Sequence, residues 1–245
     1  MTRFAARYPS AAHAFVPALD EEITVDGDDG HHLSRVRRLR AGEVVTAADG
    51  DGRWRAYEVV DARRGGLDLR AGADPVLEPQ LEPRLVVAFA LTKAAKPDVA
   101  VEKLTELGVD RITPLTTRRT VPRWDPDRAR TAVARLRRIA REAAVQCRRA
   151  RLPQVDAPQP VTALGGVAGI VVADPAGDDV ARLPAPPGGE WVLVVGPEGG
   201  FEPGELAELD AGRLWLGPHV LRAETAAIAG AAVLTTRRAP RDHAA

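Results

Sequence analysis

The sequence predicts an α/β protein in two parts: a small β-rich module up to about residue 72, then a larger α/β domain on a parallel sheet. Three observations predict it. Short strand-like runs separated by Asp-Gly turns fill the first 72 residues. Three prolines at four-residue spacing, Pro75, Pro79 and Pro83, then interrupt the chain. Beyond them, unbroken apolar runs alternate with helix-period segments, as expected for parallel strands buried on both faces.

At 245 residues, with 45% hydrophobic and 28% charged content, the chain is long enough for one large domain or two modest ones. Its formal charge is zero, 34 basic against 34 acidic residues, so net charge alone does not argue for nucleic acid. The distribution does more. Arginines crowd into residues 31–40 and 134–153, and a local basic surface can follow a phosphate backbone on a neutral protein. The single cysteine, Cys147, excludes a disulfide framework and Cys-pair zinc sites; it reads as a small buried hydrophobe in a reducing compartment. No signal-type or membrane-length apolar run occurs, so a cytoplasmic protein without a membrane partner is expected.

In the first module, "EEITVDG", "EVVTAADGDGRWRAYEVVDA" and "GGLDLRAG" supply brief strands, giving the expectation of a small barrel. "DGDDG" and "DGDG" lack the rest of a calcium loop and are read as hairpin turns. "HHLSRVRRLRAGE" spaces Leu33, Val36 and Leu39 three apart, predicting a short helix with an apolar face and arginines opposite. The proline-spaced segment 73–84 is read as a linker, because proline withdraws amide donors from a sheet. In the second domain, 85–245, "LVVAFA" predicts a buried strand, "PDVAVEKLTELG" a helix ending at Gly108, and "RITPL" a second strand. A long helix follows from Asp127 to about Arg149, with Ala129, Val133, Leu136, Ala140, Ala143 and Cys147 on one stripe. "GIVVAD", "WVLVV" and "RLWLG" are further strands, and a last helix starts near Glu224 or Thr225.

"VLVVGPEGGFEPGEL", residues 192–206, runs a strand into a glycine-rich turn, the usual place for a ligand loop. It is not a P-loop, since no Lys-Ser/Thr pair follows the glycines, and it is not GxGxxG, since the glycines fall at 196, 199 and 200. A second loop, "LGPHVLRAETAAIAGAAVL" at 216–234, repeats strand, Gly-Pro turn and helix. Two such loops at adjacent strand ends would build one pocket.

The pairing of GPEGG with LG-P-x-x-L-R-x-E-T-A resembles the bacterial 16S ribosomal RNA uridine-N3 methyltransferases (ribosomal RNA small subunit methyltransferase E), in the SPOUT superfamily. "HHLSRVRRLRAGE", "EKLTELGVDRITPL" and "EAAVQCRRARLPQV" are similar to further family blocks in the family's order. The resemblance implies a PUA-like RNA-binding β-barrel over 1–72 and a SPOUT-type α/β domain with a deep C-terminal trefoil knot. It also implies S-adenosylmethionine as cofactor, 16S rRNA of the small ribosomal subunit as partner, and a homodimer. On this reading Val195, Gly196, Pro197, Glu198, Gly199 and Gly200 form one wall of the cofactor site. Leu216, Gly217, Val220, Leu221, Arg222 and Thr225 form the other. The glycines would give backbone groups room to approach the cofactor.

Uridine N3 carries a proton, so its methylation needs a base, a cation to stabilise the imide anion, or both. Arg222 is the candidate cation; Glu198 and Glu224 are unranked candidate carboxylates, either of which could instead hold a loop or cap a helix. Arg35, Arg37, Arg38, Arg40, Arg119, Arg149 and Arg151 are candidate RNA contacts. His31 and His32 have no companion cluster for a metal, and none is expected. Three positions depart from the family pattern: Ala94 stands where glycine is common, Arg118 where an acid is, and Val145 where Glu is. Competing readings are a non-catalytic RNA-binding assembly factor, a SPOUT enzyme with another RNA target, and an unrelated nucleotide-binding α/β enzyme.

Overall fold

The computed structural model describes residues 10–92, 96–120, 125–207, 209 and 211–240. The described residues form two compact units, one from residues 10–80 with 144–152 and the other from residues 81–143 with 153–240.

In the first unit, β1 (Ala12–Phe15), β2 (Glu22–Val25), β3 (Val44–Ala48), β4 (Arg53–Arg63) and β5 (Gly66–Ala71) lie in the order β1-β3-β4-β5-β2, with β6 (Val76–Leu77) pairing β4. The expected barrel is thus an open sheet among the described residues. Its two edges are β1, paired only with β3 through a parallel ladder, and β2, paired only with β5. Inward residues Ala12, Ala14, Val25, Val45, Ala47, Tyr57, Val59, Leu67 and Leu69 form its core. "DGDG" turns β3 into β4 as expected, with Gly50 and Gly52 at positive φ. "DGDDG" does not make a hairpin turn. Asp26 precedes α1 (Gly27–His31), and Asp28 and Asp29 occupy its first turn, where the positive helix end favours acids.

The helical segment continues as a π-turn over His32–Val36, closed by the Arg37 amide donating to the His32 carbonyl, and Arg38 then takes φ 55°. This wider winding turns Val36 out: Leu33 and Leu39 are buried as expected, but Val36 is 62% exposed. Residues 144–152 pack into the same unit. His13 Nε2 donates to the Arg149 carbonyl at 3.2 Å and Gly52 donates to the Ala150 carbonyl at 3.2 Å.

The second unit begins inside the segment expected to be a linker: β7 (Leu81–Glu82) pairs with β15 (Ala239–Pro240) at the far end of the chain. The main sheet contains β8 (Arg84–Ala90), β9 (Arg111–Thr116), β10 (Gln154–Val155), β11 (Gln159–Pro160), β12 (Ile170–Asp178), β13 (Glu190–Val195) and β14 (Gly212–Leu214). Its order is β10-β9-β8-β13-β12-β14, with β11 also on β9, and every ladder is parallel. Alternate residues explain the unbroken apolar runs. Leu85, Val87, Phe89, Trp191, Leu193 and Val195 pack on one face under α2 (Lys96–Glu106), α3 (Pro126–Cys147) and α5 (Ala223–Thr235). Val86, Ala88, Val192 and Val194 pack on the other face with Leu115, Leu164 and Ile170. The short α4 (Pro203–Leu206) follows β13.

Ala140 and Ala143 are buried on the predicted stripe of α3, while Cys147 near its end is only half-buried. Among the described residues no helix is long and apolar enough to cross a membrane.

Candidate functional site

β8 has β9 on one side and β13 on the other, so the direction of winding reverses between β8 and β13. Parallel strands all end on the same edge, and ligands bind at such an edge beside the reversal. The ends of β12, β13 and β14 and the start of α5 enclose a cleft of about 770 Å³ counting its open mouth. The loop after β13 contributes Val195, Gly196, Pro197, Glu198, Gly200 and Phe201; the loop after β14 contributes Leu216, Gly217, His219, Val220 and Leu221. The two glycine loops singled out from the sequence therefore share one cleft.

The third wall was not visible in the sequence. After Ala173 the β12–β14 ladder slips, so that both Ala173 and Asp178 pair with Leu214, and the intervening residues bulge out. Asp174 and Pro175 in this bulge line the cleft, and Asp174 is held by the Ala176 amide at 2.8 Å and Arg213 Nη1 at 2.9 Å. A strand-end Asp-Pro in "GIVVADP" was the available signal. Ala223 and Ala226 from α5 complete the lining. Gly199, Arg222 and Thr225 do not line it.

Each of these glycines has a reason within its own loop. A Cβ on Gly196 would stand 2.7 Å from the Phe201 ring, while Gly200 and Gly217 have φ of 71° and 135°. Gly200 closes a turn by donating its amide to the Pro197 carbonyl at 2.8 Å.

Two segments fasten the first loop and the short helix that follows it. Lys96 Nζ, at the start of α2, donates to Glu198 Oε1 at 3.2 Å and lies 3.5 Å from Glu224 Oε1. The Arg119 Nη1 group donates to the Gly199 carbonyl at 2.6 Å. Arg118 contributes its amide to Glu205 Oε1 at 2.7 Å and its guanidinium to Glu202 Oε2 at 3.1 Å. The departure from an acid at 118 thus has a partner in this chain. Glu202 and Glu205 also form a reciprocal capping box at the start of α4.

Glu198 is held below the ordinary carboxylate range, first by its own backbone amide and then by Lys96 and, at longer range, Arg222; partial burial opposes them. Glu224 does not cap α5, whose N-cap is Arg222; one of its oxygens faces Lys96 and the other, Oε2, is buried without a partner. Arg222 itself is exposed. Lys96 was missed in the sequence because its partners lie roughly a hundred residues away. Ala94 lies outside the described residues.

Of the candidate RNA contacts, Arg35, Arg37, Arg38 and Arg40 are exposed around Val36 in the first unit. Arg149 is half-buried there, and Arg151 is committed elsewhere: its guanidinium donates to the Asp51 carbonyl and to that of Glu78 at 3.0 Å. Arg119 is exposed but tied to the first loop, as above. Among the described residues no three His, Cys, Asp or Glu side chains gather in a metal-binding group.

The cleft lining includes the carboxylates of Asp174 and Glu198, each paired with a cation behind the wall, Arg213 and Lys96, and no lysine or arginine reaches the lining itself to bind a phosphate. Residues 79–235 match the family model for an RNA methyltransferase domain, and residues 25–71 match that for an RNA methyltransferase PUA domain. Fold and domains together define the class, RNA methyltransferases carrying a PUA domain. Within that class the chain belongs to the ribosomal RNA small subunit methyltransferase E family. It is 39% identical to the Mycobacterium bovis protein of that name over 241 residues, covering 91% of this chain and 90% of the relative. The Bacillus subtilis protein of the same name is 27% identical, over 83% and 86% of the two chains. A SAM-bound structure from Legionella pneumophila superposes with a TM-score of 0.80 at 26% identity, covering 92% of this chain and 97% of the other. The fold is also that of ribosomal RNA small subunit methyltransferase E from Neisseria gonorrhoeae bound to S-adenosyl methionine, with a TM-score of 0.80 at 23% identity, covering 92% and 97%.

Proposed function

We propose that the chain binds S-adenosylmethionine in the cleft between the two glycine loops and methylates N3 of a specific uridine in 16S rRNA on the small ribosomal subunit. The observation that carries the cofactor assignment is the cleft itself, a largely apolar pocket at the strand ends that both glycine loops wall and whose lining holds no lysine or arginine. S-adenosylmethionine is largely apolar around its sulfonium and carries no phosphate, so it suits such a wall; SAM bound in the Legionella neighbour, 26% identical, supports the same ligand. Uridine N3 as target, the trefoil knot and the cytoplasmic setting come with the family. A homodimer belongs to the same reading, and exposed Trp215 and Val220, at 40% and 88%, offer apolar surface for a second copy.

When bound, S-adenosylmethionine supplies an electrophilic methyl group. The protein's task is to place the uridine, exclude water and favour the N3 anion. Glu198 is bonded to Lys96 and held below the ordinary carboxylate range, which favours an anchoring role for it over that of base. Glu224 has one oxygen on Lys96 and the other shielded, so both carboxylates act as loop anchors on this reading. Arg222, exposed at the head of α5 and permanently charged, stabilises the imide anion, and the N3 proton leaves to solvent. Arg35, Arg37, Arg38 and Arg40 dock the RNA, with a contribution from Arg149.

Titration calorimetry tests the cofactor step: S-adenosylmethionine and its demethylated product are expected to bind at one site per chain, and absence of heat for both would refute it. Arg222→Ala is expected to keep cofactor affinity and lose about a hundredfold in kcat, the usual scale for removing one charge-stabilising group. Unchanged turnover would take Arg222 out of the catalytic step.

A further inference from the structure

Lys96 sits at the first position of an 11-residue helix, where a cation is electrostatically misplaced because the helix dipole presents its positive end. Asp98 in the same turn does not resolve this, since its ion pair is with Arg135 at 2.9 Å. Lys96 instead reaches out of its helix to Glu198 in the loop after β13 and to Glu224 in the first turn of α5. On the other side of that loop, Arg119 is solvent-exposed and free in principle to meet RNA, yet its Nη1 donates to the Gly199 carbonyl at 2.6 Å. Its aliphatic stem also packs 3.6 Å from where a Gly199 Cβ would stand. The turn that carries it is closed by the Thr117 amide on Thr120 Oγ1 at 2.9 Å and anchored by Arg118 on Glu202 and Glu205.

The geometry assigns Lys96 and Arg119 as positioning residues of the methyl-donor loop: one cation from the start of α2 and one from the turn after β9 grip residues 198 and 199 from two sides and set the shape of the cleft wall. Arg119 therefore controls the donor side of the reaction rather than RNA affinity. This rests on the S-adenosylmethionine reading only for its kinetic consequence; the grip itself is a property of the ligand-free chain.

Two measurements on full-length Lys96→Met, Arg119→Met and the conservative Lys96→Arg separate the grip from its consequence. In ligand-free protein, hydrogen exchange of the amides of Gly196 and of residues 198–202 is expected to speed up about tenfold in both methionine variants, the scale of one lost charge-assisted bond, and to return toward wild type in Lys96→Arg. In steady-state assays, KM for S-adenosylmethionine is expected to rise about tenfold in Arg119→Met while KM for the RNA substrate stays within about twofold. Wild-type exchange rates in both methionine variants overturn the grip. A raised RNA KM with an unchanged donor KM overturns the role of Arg119. A wild-type chain that fails to bind S-adenosylmethionine refutes the proposed function and leaves the exchange measurement to decide the grip.

Discussion

Gly196 and Gly200 stand four residues apart and are glycine for different reasons. At 196 a side chain would collide with the Phe201 ring; at 200 the backbone has φ of 71°, which costs about 1–2 kcal/mol for an L residue. Gly196→Ala is accordingly expected to displace Phe201 and raise KM for the methyl donor, with far-ultraviolet circular dichroism unchanged; a donor KM equal to wild type would contradict this. Glu198 gives a second prediction at this scale. Its folded pKa is depressed, so its contribution is present above the ordinary glutamate value of about 4.3 and is lost as pH falls through the folded value. Half-exposed as it is, that contribution is small. The difference in melting temperature between wild type and Glu198→Gln should hold from pH 7 to 5 and vanish at more acid pH; a pH-independent difference would contradict the assignment. The glycine loop was legible in the sequence because glycine spacing is a local signal. The role of Lys96 was not, because an ion pair across distant segments leaves no trace in either one.

Strands were the most readable elements. β8, β13 and the first three residues of β12 are buried on both faces, so their apolar runs are continuous and unambiguous. The segment 26–39 was misread because two weak signals, Asp-Gly and a three-residue spacing, each fit more than one backbone. A π-turn and a left-handed Arg38 settled which side Val36 would face. The proline-spaced segment holds the boundary between the two units, as its prolines suggest, but it is more than a linker. It carries β6 and β7, and the carbonyls of Leu81 and Pro83 accept from the buried guanidinium of Arg238, which also binds the Gly108 carbonyl and Asp110. Arg238→Met would leave Asp110 with the Leu85 amide alone. A loss of about 3–5 kcal/mol in urea unfolding is expected, partly recovered in the double variant with Asp110→Asn. Equal loss in single and double variants would show that the pair is not the source.

For the molecule as a whole, the division into a β-rich unit and a parallel α/β unit was legible from patterning and prolines. The assignment of 144–152 to the first unit was not, since that segment ends a long amphipathic helix and gives no local sign of its partners. An ordered series of motifs along the chain identified the family, and matches across both domains bear this out. No residue reading separates uridine N3 from other methylation targets, because that choice depends on how RNA enters the cleft. The most direct test is to incubate the protein with methyl-labelled S-adenosylmethionine and small ribosomal subunits from a strain lacking the endogenous enzyme, then digest the RNA and map the labelled nucleoside. The account predicts one labelled product, N3-methyluridine, at a single 16S rRNA position. Label on a ribose or a guanine, or no transfer at all, would contradict it.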